Sequence, residues 1–342
     1  MADQVSAGVR QMCCRVALAP MGFRRAAQHL EHLAQIRLSA ERLRQTAEQE
    51  GQRVSTAQCQ GPIASSLTAE QAKVSVEGPT RLYVGADGVK VPMITTQEKA
   101  KRRARRGPKR PGSPRRRMHR GADNTYKEFK IATFYDESNE HRQVIATAGN
   151  HHVLGRMIRR QAQRLEFNRF DQKLGLGDGA DWILRQLGIH LPTLDQFILD
   201  FYHFSEHVWS ASNACWTLGS DTARSQAESL LHQARHEGPA AVLLTLEAQR
   251  RKHRTGRKRQ ALQKLIAYIV KRAAHCDYPR YRAKGWQIGS GPTEAMCKVL
   301  TYRLKGAGMR WDREGAEPIM ALIALEQSDT WERYWNAQGK AA

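Results

Sequence analysis

Apolar positions set the first rhythm of the chain. Phe23, Ala26, Ala27, Leu30, Leu33 and Ala34 recur at the spacing of one helix face. Ser39 can cap a second helical run that Gly51 closes. Two short helices with a tight connection suit a helix-turn-helix and, equally, any small helical bundle. Residues 1–51 are therefore expected to be an N-terminal helical region, and the polar Gln-, Ser- and Gly-rich residues 52–79 a linker.

From Arg81 the period changes to that of strands. Leu82 to Val91 reads as a strand, a turn at Asp87-Gly88 and a return strand. Tyr126–Tyr135 and Arg142–Ala148 read as two more strands, and Val153–Phe167 as a helix. A strand over Lys173–Gly177 ends at Asp178-Gly179, and a short helix follows over Ala180–Leu187. A further strand, Phe197–Phe201, ends near Tyr202-His203. Residues 204–275 look wholly helical, with a break at Gly238-Pro239. Gly289-Ser290-Gly291-Pro292 then enters a final helix, with Ser290 or Gly291 as cap and Pro292 in the first turn. Successive strands, then alternating helix and strand, then a helix is the order of a ribonuclease-H-like α/β fold. The expected catalytic domain covers 80–203 and 286–330, has a mixed five-stranded sheet, and is interrupted by an all-helical insertion at 204–285.

Charge narrows the function. The 342 residues carry 55 Lys and Arg against 33 Asp and Glu, a formal net charge of +22. Such a surplus attracts polyanions, and nucleic acid rewards each Lys or Arg with a released counterion. Within 99–120 the basic side chains crowd together: Arg102, Arg103, Arg105, Arg106, Lys109, Arg110, Arg115, Arg116 and Arg117, broken by Gly and Pro. Too charged to build a core, this stretch is expected to be a DNA-gripping loop, disordered until neutralised. A second basic cluster spans Arg250–Arg259 and reads equally as a solvated loop or a DNA contact. No window resembles a signal peptide, a membrane anchor or a spanning stretch. Cysteines 13, 14, 59, 215, 276 and 297 form no C-x-x-C pair, which argues for reduced thiols and against a disulfide framework or zinc ribbon. A cytoplasmic, nucleoid-associated protein is expected.

Three carboxylates carry the candidate chemistry. Phosphodiester cleavage needs an attacking oxygen activated and a leaving oxygen stabilised, which two hard cations ~3.5–4 Å apart accomplish. Mg²⁺ takes oxygen ligands, and carboxylates at the strand ends of a rigid sheet supply them. Asp87 and Asp178 each end an expected strand, and Glu294 lies in the first turns of the expected last helix. Either Asp-Gly pair alone is more often only a turn; three acids in this order on these elements converge in a ribonuclease-H-like sheet.

The strings Tyr83-Val84-Gly85-Ala86-Asp87-Gly88, Gly177-Asp178-Gly179-Ala180-Asp181-Trp182-Ile183, Leu199-Asp200-Phe201-Tyr202-His203 and Gly289-Ser290-Gly291-Pro292-Thr293-Glu294 resemble the bacterial insertion-sequence transposases of the ISKra family. Arg303-Leu304-Lys305-Gly306-Ala307-Gly308-Met309-Arg310-Trp311 is similar to that family too, and the likeness runs from about Phe23 to Leu325. The resemblance implies a DDE transposase that binds element ends and target as double-stranded DNA, uses Mg²⁺ or Mn²⁺, and joins strands by hydroxyl attack. It implies Asp87 and Asp178 as the aspartates and Glu294 as the glutamate of the triad. Asp181 departs from the family, whose members often have a neutral residue there. Because two DNA ends must meet, a homodimer or larger assembly on DNA is expected.

Asp200-x-x-His203 resembles the C/D-x-x-H signature of Mutator-like transposases, with His203 expected at the scissile phosphate and Asp200 orienting its ring. His203-Phe204-Ser205-Glu206-His207 also matches H-x-x-E-H, an inverted zinc-protease pattern. That rival leaves the charge and the other carboxylates unexplained. On the Glu294 helix, Lys298, Thr301 and Lys305 follow at helical spacing, so Lys298, Arg303, Lys305 and Arg310 are candidates to hold phosphates. Trp286 and Trp311 flank that helix, as core residues or as stacking partners for an unpaired base. The competing functions are a non-catalytic DNA-binding remnant or repressor, and a nuclease on the same fold.

Overall fold

The structure is a computed structural model, described for residues 5–60, 63, 65–104, 126–253, 255–306 and 309–339. Three helices open it: α1 (Ala7–Leu18), α2 (Phe23–Ala34) and α3 (Ala40–Gln60). Strand β1 (Arg81–Val91) and helix α4 (Thr96–Ala104) follow, then β2 (Lys127–Tyr135), β3 (Arg142–Thr147) and α5 (His151–Arg164). Next come β4 (Gln172–Gly177), α6 (Asp181–His190), β5 (Gln196–Leu199) and α7 (Phe201–Cys215). Helices α8 (Asp221–His236), α9 (Pro239–Arg251), α10 (Arg257–Arg272) and α11 (Tyr278–Ala283) lead to α12 (Gly291–Lys305), α13 (Arg313–Gln327) and α14 (Trp331–Gly339).

The five strands form one mixed sheet in the order β3-β2-β1-β4-β5. β1 pairs antiparallel with β2 and parallel with β4; β2–β3 is antiparallel and β4–β5 parallel. This arrangement is compatible with a ribonuclease-H-like sheet. Side-chain alternation sends the two faces of β1 into different cores. Leu82, Val84 and Ala86 pack with Ala132, Phe134 and Ile145 under α5 and α6. On the opposite face, Ile131, Val144 and Ala146 meet α12, α13, α14 and the N-terminal helices. A third core joins Tyr83, Tyr135, Leu174, Leu176 and Ile198 to helices α7, α8, α9 and α10.

Several boundaries differ from the sequence expectation. β1 runs straight through Asp87-Gly88 because β2 pairs with it along its length, from Tyr83↔Tyr135 to Val91↔Lys127. Asp87 is therefore inside a strand and not at a turn. Gly51 does not stop a helix: it is interior to α3, where an added Cβ would collide with the Pro318 carbonyl on α13. The N-terminal region accordingly holds three helices, not two, and the first part of 52–79 is helical. The strand expected at Phe197–Phe201 ends at Leu199, since Asp200 caps α7. Two helices, α13 and α14, follow the one that was expected to be last. The break at Gly238-Pro239 stands where expected, with Gly238 at a left-handed φ of 92° and Pro239 opening α9.

The chain's return from the helical region is stitched to the sheet by buried polar groups. Arg81 donates to Glu137 Oε2 and to the Gly285 carbonyl, each at 2.7 Å. Tyr83 Oη donates to Glu137 (2.8 Å) and accepts from the Gln287 amide (2.9 Å). These bonds hold the segment that leads into α12.

Candidate functional site

A cleft of ≈ 390 Å³ opens where β1, the end of β4 and the N-terminal turns of α7 and α12 meet. Asp87, Asp178 and Glu294 all line it, with Asp200, His203, Glu206, Ser290, Cys297, Lys298, Thr301 and Lys305. The sheet makes the room. β4 pairs with β1 only as far as Gly85↔Leu176, so at Asp87 that edge of β1 is open.

Gly85 brings α12 down onto the sheet. A Cβ there would overlap the Thr293 hydroxyl and stand 2.9 Å from Thr293 Cβ. Thr293 Oγ1 instead shares a hydrogen bond of 2.7 Å with Thr133 Oγ1 on β2. The next residue along α12 is Glu294, in its first turn, and it faces the cleft. One turn further, Cys297 Sγ lies 3.6 Å from Asp87 Oδ2 as a weak donor.

Asp87 is half-buried and accepts the Gly88 amide at 2.6 Å. Burial, and after it the negative charge of Asp178, push its carboxyl above the usual carboxylate range, against the Gly88 bond. Burial likewise raises the Cys297 thiol, so it stays protonated. Asp178 accepts the Ala180 amide at 2.9 Å, a local Asx turn at the end of β4. Among the described residues no Lys or Arg forms an ion pair with Asp87, Asp178 or Glu294. As the side chains stand, no three His, Cys, Asp or Glu groups among the described residues are close enough to hold one ion.

Asp200 does not orient the His203 ring. Its Oδ1 accepts the backbone amides of Tyr202 (2.6 Å) and His203 (3.0 Å), and its Oδ2 accepts the Ser290 amide (2.5 Å) and hydroxyl. At 1% exposure it ties the start of α7 to the start of α12. The ring of His203 pairs instead with Glu206, Nδ1 to Oε2 at 3.4 Å. His207 stacks on Tyr268 (3.8 Å between centroids), and the H-x-x-E-H residues make no ligand group of three.

The expected phosphate-holding residues separate. Lys298 and Lys305 are exposed and line the cleft. Arg303 is 1% exposed: its Nε donates to the Ala17 carbonyl (2.9 Å), and its guanidinium packs against the rings of both Phe23 and Trp311, 5.2 and 5.0 Å from their centres. It is a packing residue, unavailable to a strand at the surface. Arg310 is half-buried. Trp311 is buried edge-on to Phe23, and Trp286 stacks on Tyr281 and donates to Gln172 (3.1 Å), so both are core. Asp181 pairs with Lys271 at 2.7 Å on the surface and takes no part in the cleft. Arg102 and Arg103 belong to α4; Arg105, Arg106, Lys109, Arg110, Arg115, Arg116 and Arg117 lie outside the described residues. Of the second basic cluster, Arg250 is paired with Glu247 (2.7 Å), and Arg259 bonds the carbonyls of Arg250 and His253. All six cysteines are free thiols. No described helix is long and apolar enough to cross a membrane.

No protein-family model matches this chain, and no curated protein matches it.

Proposed function

We propose that the chain is a ribonuclease-H-like DNA transposase of an insertion sequence, with α7 to α11 as a helical insertion, which cleaves and joins strands at the Asp87–Asp178–Glu294 cleft. One observation carries the reading: three carboxylates far apart in sequence line one open cleft with two exposed lysines, in a chain of net charge +22. The ISKra-like motifs supply the step from cutting to joining, which no residue in the cleft distinguishes.

Mg²⁺ or Mn²⁺ suits this donor set. The ligand atoms are hard carboxylate oxygens, they have no Lys or Arg ion-pair partner among the described residues, and the Asp87 carboxyl is raised by burial first and then by the neighbouring Asp178 charge. Asp87, Asp178 and Glu294 would hold two such cations once drawn together. The chemistry the pair would supply there is activation of an attacking oxygen and stabilisation of a leaving one. Lys298 and Lys305, which line the cleft, would bind the flanking phosphates, and His203 would contact the phosphate at its α7 edge. Asp200 keeps α7 and α12 in register beneath them. Such a protein acts in the cytoplasm on the nucleoid, as a dimer or larger on DNA.

The test is Asp87→Asn with metal-dependent nicking and DNA binding measured together. The reading expects cleavage to disappear with binding intact; unimpaired cleavage overturns it. Binding with no cleavage even by the wild-type chain favours a repressor or remnant, and cutting without joining favours a nuclease.

A further inference from the structure

The turn that carries Asp178 is held from outside the sheet by the C-terminal end of α10. β4 ends at Gly177, and Gly179 turns the chain with a left-handed φ of 71°. Arg272 Nη2 donates to the Gly179 carbonyl at 3.3 Å, and a Cβ on Gly179 would stand 3.1 Å from Arg272 Nε. The guanidinium is itself fixed, with its carbon 4.4 Å above the Tyr268 ring. Tyr268 stacks on His207 of α7, the helix whose first turn brings Asp200 and His203 to the cleft. A neighbouring contact, Lys271 to Asp181, has side chains 56% and 71% exposed and is screened by solvent.

We propose that Arg272 is a positioning residue: it clamps the 178–181 turn and so sets the aim of the Asp178 carboxylate into the cleft. The helical segment thereby braces the sheet's acidic edge through one partly buried guanidinium. The local clamp stands on these contacts alone; its consequence for metal binding rests on the function proposed above.

Arg272→Met keeps a stem over Tyr268 and deletes the donor to Gly179; Lys271→Ala removes only the exposed pair. Hydrogen exchange of the 177–183 backbone is measured in the full chain, with Mn²⁺ binding followed by the loss of free-ion electron paramagnetic resonance signal. Arg272→Met is expected to speed exchange in this turn about tenfold and to weaken Mn²⁺ binding several-fold, at an unchanged fold by circular dichroism. Lys271→Ala is expected to match the wild type. Should Arg272→Met not fold, Arg272→Leu, which also lacks the donor to Gly179, gives the same comparison. Unchanged exchange in the Arg272 variant overturns the clamp. Faster exchange in a chain that binds no Mn²⁺ upholds the clamp and counts against the metal-dependent function.

Discussion

Arg303 and Lys298 stand five residues apart on α12 and do opposite jobs. Arg303 is buried against the Ala17 carbonyl and two aromatic rings, and burial lowers its guanidinium to about 10, so it stays charged through the neutral range. Arg303→Ala is expected to destabilise the fold by roughly 3 kcal/mol through lost packing and an orphaned carbonyl. Lys298→Ala should leave stability within about 0.5 kcal/mol. It should instead reduce the slope of log binding against log salt by about 0.9. Urea denaturation and a salt titration of DNA binding separate the two; an Arg303 effect on the slope alone would contradict the packing role. Asp87 gives a second residue-scale prediction. Its folded carboxyl is raised above the unfolded value, so the folded chain holds the proton more tightly. Stability from this group is therefore present at low pH and lost as pH rises through the raised value. Asp87→Asn should raise Tm at pH 7 without metal. The gain should shrink as pH falls toward and below the unfolded carboxylate's value; a Tm lowered at pH 7 would contradict it.

At the scale of elements, the fit between β1 and α12 determines whether the cleft exists. Gly85→Ala pushes a methyl into Thr293, and the stiff strand leaves α12 to give way. Overpacking of this kind costs ~1–3 kcal/mol. The variant is expected to lose about 2 kcal/mol of stability, part of which Gly85→Ala/Thr293→Ala regains. An unshifted denaturation midpoint would show that α12 is not seated as described. Much of this element level was legible beforehand: strand alternation, the Gly238-Pro239 break and the Gly-Ser-Gly-Pro start of α12 are local signals. What was not legible depended on distant partners. Asp87-Gly88 has the composition of a turn, yet β2 pairs with it and keeps it extended. Gly51 looks like a helix stop because its packing partner, Pro318, is on another helix. Asp200 looked like a partner for the His203 ring, whereas a carboxylate at a helix start is drawn to the free amides of that first turn. The Arg272 contact with Gly179 left no sequence signal, since it spans 93 positions.

For the whole molecule, three cores meet around one sheet, and the acidic cleft lies where the helical block and α12 converge on it. The whole chain carries a net charge of +22, and under the proposed function that surplus would favour a polyanionic substrate. The three acids could be picked out as a set because their order along the chain matched the order of the elements. Which arginines face solvent could not, because a guanidinium buried by aromatic rings has the same sequence appearance as a free one. The most direct measurement follows labelled element-end DNA with Mg²⁺ or Mn²⁺, wild type beside Glu294→Gln. Metal-dependent cleavage followed by strand joining is expected in the wild type, lost at least a hundredfold, ~3 kcal/mol or more of barrier, in the variant. Cleavage by Glu294→Gln at the wild-type rate would contradict the proposed function.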